Sequence, residues 1–424
     1  MKKLWILLSV AALLSSAGIC LADNEEIPKT GLFTDTWERE TLTDGFFGLN
    51  DGLADKDIEV GFGVTNIYQQ NIRGGTSTHR KAGRISGSYD LELSADLQKL
   101  LGFQTGSIYM LVEGGWPDAE GIDAVSVGSA FGVNADAIGN QGPVVKELYY
   151  QGPVFSDAFT MMVGKIDFSG VFDASAYADD ECNQFLNAAF VDDLTIPFPD
   201  YSLGVVLNWD LTDSWYLMGG IADAQANGRE TGFGTTFHDE DYFFYALETG
   251  ITPALNSANG AMPGAYRVGM WVDGQDKARF SNGKNCRDDT GFYVSCDQML
   301  YKENSDPRDP QGLGVFGRFG YANSDLNPIR NFWSMGLQYQ GLLDGRDDDV
   351  LGAGFAQGIF SDYPGANDGD NYTENHENPL EVYYNAQVNP WLSLSPSIQY
   401  ITNTGGDKAV NDTVVFGLRA QMTF

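Results

Sequence analysis

The fold class predicted by this 424-residue chain is all-β: a transmembrane antiparallel β-barrel of sixteen strands, with short periplasmic turns and long extracellular loops. Three observations predict it. The chain opens on an export leader, its apolar and polar residues alternate with period two in many stretches, and its connections alternate between short and long.

The leader comes first. Lys2 and Lys3 precede an apolar run over residues 4–14, and Cys20-Leu21-Ala22 offers a small residue at −3 and −1 of a cut after Ala22. That is the pattern of a secretory signal peptide, too short for a spanning helix. Residues 1–22 are therefore read as the leader. Residues 23–57 are read as a periplasmic segment with a short amphipathic helix at LTDGFFGLNDGLA (42–54), and residues 58–424 as the barrel. Beyond Ala22 no window reaches the roughly 18 consecutive apolar residues of a membrane helix.

Composition narrows the class. Asp+Glu 58 against Lys+Arg 25 gives a formal net charge of −33, the wrong sign for a protein that must neutralise phosphates, so no nucleic-acid partner is expected. Gly 51 and 13% aromatics suit a large antiparallel β protein with one greasy side per strand.

The strands follow from alternation. In VVFGLRAQMTF (414–424), Val414, Phe416, Leu418, Ala420, Met422 and Phe424 fall on one side, and Arg419, Gln421 and Thr423 on the other. Two faces that meet different solvents produce this pattern. Phe424 closing such a strand has the form of the signal read by the barrel assembly machinery. Tyr201, Leu203, Val205, Leu207 and Trp209 form a similar apolar row, as do Tyr266, Val268, Met270 and Val272. Strand starts are predicted near residues 58, 83, 106, 144, 159, 201, 215, 242, 265, 291, 313, 332, 349, 380, 392 and 414.

Connections supply an independent check. Those near 156–158, 211–214, 343–346 and 389–391 are short, and those at 116–143, 168–200, 224–240, 275–290 and 361–378 are long and rich in Gly, Asp, Asn and Pro. Alternation of this kind favours a closed barrel over a soluble sandwich. The 168–200 stretch is too apolar for a surface loop: Phe172, Phe185, Leu186, Phe190, Ile196 and Phe198 require burial, which folding into the bore would supply.

With the apolar rows on lipid, the alternate rows line the bore. The predicted channel-lining residues are Arg84, Asp90, Glu92, Glu113, Lys165, Asp167, Arg267, Trp271, Asp273, Arg318, Glu381 and Arg419, with Tyr109, Tyr149 and Tyr383 among them. A mainly basic constriction would select anions. Mixed charge with aromatic rings instead suits a neutral polyol, whose hydroxyls donate and accept.

The chain resembles the carbohydrate-selective porins of the OprB type. The matching stretches include IEVGFGVTNIYQQN (58–71), SGSYDLELSADLQKLLGF (86–103), YRVGMWVDG (266–274), DQMLY (297–301), and EVYYNAQVNPWLSLSPSIQYI (381–401) with the final strand. Where the family commonly carries Gly-Asp-Trp-Gly-Gly-x-Arg, this chain has LTDGFFGLNDG. The resemblance implies passive, substrate-preferring diffusion of monosaccharides and similar solutes across the outer membrane of a Gram-negative-type bacterium. Its partners would be carbohydrate solutes and outer-membrane lipid, with association into a homotrimer left open. Arg84 and Arg267 are the nearest counterparts of the family's selectivity arginines. A general or cation-preferring porin is the alternative that the acidity favours.

Cys286 and Cys296, flanking CRDDTGFYVSC, are predicted to form a disulfide in an oxidising compartment. His79, His238 and His376 are scattered, and no hydrolase, nucleotide or zinc motif occurs. No cofactor, metal or enzymatic step is expected.

Overall fold

The computed structural model describes residues 39–98, 106–116, 121–237, 241–306, 308–367 and 369–424. The predicted leader 1–22, and the part of the 23–57 segment before residue 39, lie outside the described residues.

The short helix α1 spans Asp44–Ala54. Its first turn is left-handed: Gly45, Phe46, Phe47 and Gly48 have φ of 63, 57, 62 and 83°. Glycine relieves the steric cost of that conformation at both ends of the turn. Asn50 Nδ2 donates to Val60 O at 2.9 Å and ties α1 to the first strand.

Sixteen strands form the wall. In chain order they are β1 Ile58–Gly75, β2 Gly83–Asp96, β3 Ser107–Trp116, β4 Gln141–Ser156, β5 Phe159–Ile166, β6 Ser202–Thr212, β7 Trp215–Asp223 and β8 Phe243–Ile251. The second half comprises β9 Gly260–Asp273, β10 Asp289–Lys302, β11 Gly312–Ala322, β12 Ile329–Gln340, β13 Val350–Phe360, β14 His376–Asn389, β15 Leu392–Thr402 and β16 Asn411–Thr423. Each pairs antiparallel with its chain neighbours, and β16 pairs back onto β1, with Gly63 opposite Thr423 and Gln70 opposite Phe416. Phe424 completes the seam: its N–H donates to Phe62 O at 2.9 Å and its ring lies 5.4 Å from that of Phe62. Closure leaves no open edge, as a wall of strands in lipid requires. A short strand at Ala254–Ser257, in the connection between β8 and β9, folds onto the start of β9.

Alternation has the physical origin inferred for it. Val268, Met270, Phe292, Val294, Met335 and Leu418 are 40–54% exposed on the outside. Their neighbours Arg267, Trp271, Tyr293, Ser295, Ser334 and Arg419 are buried inside. Trp209 and Trp215, each 48% exposed, flank the tight turn between β6 and β7, where an interfacial aromatic band belongs.

The interior is not an open tube. The β5–β6 loop enters it, and Phe168, Phe172, Phe185 and Phe190 become completely buried there. Each such ring contributes about 1.5–3 kcal/mol relative to water. Phe185 packs 5.7 Å from Phe316 and 5.0 Å from Tyr383 of the wall, and Phe168 packs 6.3 Å from Phe244. Inward glycines allow the approach. A Cβ on Gly354 would stand 2.7 Å from the Phe190 ring, and one on Gly314 only 2.1 Å from Tyr177.

Candidate functional site: a passage beside two inserted loops

The β5–β6 loop is held by charge as well as by packing. Arg318 meets Asp173 at 2.9 Å and Asp179 at 2.8 Å, and also donates to the carbonyls of Asp173 and Val191. Glu381 accepts from the N–H groups of Leu186 and Asn187 at 3.1 and 2.8 Å. Arg419 donates to the carbonyls of Glu181 and Gln184 at 2.8 and 2.9 Å. Glu248 joins the set, accepting from Asp173 N and from the hydroxyls of Tyr216 and Tyr293. Arg267 pairs with Asp297 at 2.8 Å, and Asp297 in turn accepts from Ser175 of the loop.

A second loop also enters the bore. Residues 121–140, between β3 and β4, bring Val133 O to Gln69 and Gln399 at 2.7 and 2.9 Å. Asp136 accepts from Ser88 at 2.9 Å, and Asn134 donates to Ser86. The two loops meet where Ala135 N donates to Leu186 O at 2.8 Å. The sequence shows this stretch only as a long external connection; Ile122, Val127 and Val133, buried against Ile401 and Val415, were the available signal.

Between the loops and the β3–β4 wall lies an open cavity of about 640 Å³. Its lining includes Glu113 and Lys146 from the wall, Asp167 at the end of β5, Glu181 and Asp192 from the β5–β6 loop, and Arg229 from the β7–β8 connection. Phe198 and Tyr201 add ring surface, and Gln141 adds an amide. The arrangement offers acceptors, donors and aromatic faces together, and carboxylates outnumber cations.

Of the predicted lining residues, Glu113 and Asp167 border this cavity. Asp90 stands directly across the ladder from Glu113. Glu92 lies one inward position further along β2 and accepts from Tyr109 at 3.1 Å. Arg84 shares the inward side, opposite the buried Gln69. The others are corrected by their surroundings. Arg318, Glu381 and Arg419 point inward but are consumed by the inserted loop, and Arg267 is paired with Asp297 behind it. Trp271 is fully buried, so no solute can stack on it. Asp273, 1% exposed, closes an ion pair with Lys277 at 3.0 Å at the outer rim.

Lys165 is on the wrong side. It stands opposite Leu148 and Leu203, in the outward row. Its Nζ rises to the rim and donates to the carbonyls of Val145, Gly228 and Glu230 at 2.8, 2.9 and 2.6 Å. Tyr201 is displaced the other way. Placed in the lipid row by its sequence, it precedes β6 with φ 46° and borders the cavity.

The disulfide expectation fails as well. Cys182, Cys286 and Cys296 are all free thiols. Cys286 lies in the β9–β10 loop, contacted by Arg279 at 3.0 Å. Cys296 is seven residues into β10, opposite Tyr266 in the outward row, roughly 23 Å along the strand from its start.

Comparison with known proteins agrees with this architecture. Residues 80–424 match the family described as carbohydrate-selective porin, OprB family. Porin B of Pseudomonas aeruginosa (strain PAO1) is 23% identical over 415 residues, covering 89% of this chain and 90% of that protein. The high-pH structure of Pseudomonas putida OprB superposes with a TM-score of 0.79 at 20% identity, over 91% of this chain and 99% of that one. Its low-pH structure gives 0.57 at 16% identity, with the same coverage. A closed sixteen-strand wall, a loop folded into the bore and a match over most of the length lead to one conclusion: the chain belongs to the OprB family of carbohydrate-selective porins.

Proposed function

We propose that the chain sits in the outer membrane and passes neutral monosaccharides and similar polyols by passive diffusion, with no covalent step. The observation that carries this reading is the 640 Å³ cavity, lined by mixed acceptors, donors and two aromatic rings. A polyol exchanging its hydration for such groups is held weakly at several places in turn, and conduction needs that weakness for release. Solute enters between the inserted loops and the β3–β4 wall, passes Glu113 and Lys146, and leaves past Asp90 and Glu92 toward the side of the short turns. The final strand with Phe424 is the segment expected to engage the barrel assembly machinery.

Liposome swelling with neutral sugars of increasing size tests the reading. Influx of glucose exceeding that of a disaccharide is the expected outcome; equal exclusion of both sinks it. The excess of carboxylates over cations in the lining favours a second property, preference for cations among ions, which zero-current potentials in a KCl gradient measure.

A further inference from the structure

The fourth strand carries an extra residue at one point where it pairs with β3. Leu111 of β3 faces Glu147, and the next residue, Val112, faces Val145, so Lys146 has no position in the ladder. A bulge of this kind re-aims a side chain that strict alternation would send the other way. Val145 and Leu148 keep the lipid side, 40% and 48% exposed, while Lys146 turns inward and is 7% exposed. There its Nζ lies 3.3 Å from Glu113 Oε2 and 4.7 Å from the centre of the Tyr201 ring. All three residues border the cavity.

We propose that Lys146 is a specificity-determining residue of the passage, and that its pairing with Glu113 governs how far anionic sugars such as uronates are refused. The inference rests on the sugar-path reading above. Its physical basis is the local balance of charge. Glu181 and Asp192 approach from the inserted loop, and Asp167 from the end of β5, so the cavity is acidic even with Lys146 in place. Lys146 offsets the carboxylate nearest the wall. Without it, Glu113 stands uncompensated between low-dielectric walls that concentrate its field on whatever passes. A uronate then meets added repulsion, an aminosugar added attraction, and a neutral sugar neither. Loss of the ammonium also uncovers one face of Tyr201, so the comparison must be a ratio between solutes of equal size.

The test uses the full-length protein in liposomes and planar bilayers with glucose, glucosamine and glucuronate. In K146M the glucuronate-to-glucose permeability ratio should fall about threefold, the Boltzmann weight of one unit charge at about 6 Å in water. The zero-current potential in a KCl gradient should move toward that of potassium. E113Q should shift both readings the opposite way, K146M/E113Q should restore both, and K146R should match the unmodified protein. Unchanged ratio and potential in K146M overturn the proposal, as does a double variant that behaves like K146M alone. If K146M does not assemble into a heat-resistant barrel, the sign of the E113Q shift decides. Failure of glucose to pass the unmodified protein, with the charge shifts intact, removes the sugar reading and leaves the role of Lys146 as a charge filter standing.

Discussion

Arg318 of the eleventh strand and Asp179 of the β5–β6 loop, 139 residues apart in sequence, meet at 2.8 Å inside the barrel. Asp173 completes the pair from the other side, and all three side chains are at least nine-tenths buried. Arg318, Glu381 and Arg419, on β11, β14 and β16, are thus inward polar groups that hold a loop across the bore. On the proposed path solute meets the remaining gap, not these residues. Charge on the inside of a barrel wall has two uses, and only the chain opposite it distinguishes them.

R318M removes the cation and leaves two carboxylates without it. Breaking a buried ion pair from one side costs about 3–5 kcal/mol. The loop should detach from β11 first, since its packing around Phe185 and Phe190 depends on the same approach. Single-channel conductance should therefore rise and become noisier, and thermal unfolding should move to lower temperature. Conductance equal to that of the unmodified protein would show that the rings alone hold the loop.

G354A tests the packing half of the same attachment. A Cβ at this position would come within 2.7 Å of the Phe190 ring and 3.0 Å of the Phe185 ring. Overpacking of this kind costs about 1–3 kcal/mol. The loop must yield, because the wall is fixed by its hydrogen bonds on both sides. We expect G354A to raise conductance without the charge effects of R318M, so its ion selectivity should stay at the starting value. A changed selectivity with unchanged conductance would contradict that.

Much of the wall was legible because a membrane strand meets two solvents. Predicted starts at 83, 159, 215 and 392 coincide with those of β2, β5, β7 and β15. Starts at 265 and 380 fall late, since β9 and β14 begin at Gly260 and His376, beyond the band where lipid enforces contrast. The inserted β5–β6 loop was legible from its phenylalanines. Three things were not. Alternation gives a side but not an occupant, so Trp271 and Arg419 read as solute contacts although loops cover them. Regular alternation cannot show a bulge, so Lys146 was missed. Past the end of a strand parity loses meaning, so Tyr201, just before β6, borders the cavity instead of lipid.

Trp271 offers a direct check on that distinction. It is fully buried, wedged against Gly291, where a Cβ would lie 2.3 Å from its ring. W271F should leave the relative permeation of sugars as it was, while lowering stability by roughly 1–3 kcal/mol, the usual range for a core substitution. Altered sugar preference in a fully folded W271F barrel would return Trp271 to the solute path.

Outside the membrane, the β9–β10 loop is fastened by Asp276, which accepts from Arg287 Nε at 2.8 Å. The Arg287 guanidinium also lies 5.3 Å over the Tyr242 ring, whose hydroxyl is 3.4 Å from the same carboxylate. Hydrogen bonding from Arg287, aided by its charge and by Tyr242, holds the Asp276 carboxyl below the ordinary carboxylate range. A depressed value means that the fastening is complete above the unperturbed pKa of about 3.9 and is lost as pH falls through the lower folded value. Between neutral pH and about 5 the loop should therefore show no change. Carbon-13 titration of labelled aspartates should place the Asp276 midpoint below about 3.9, and R287Q should move it back up toward that figure. A midpoint already at the ordinary value in the unmodified protein would mean that Arg287 is drawn to Tyr242 alone and the carboxylate is a bystander.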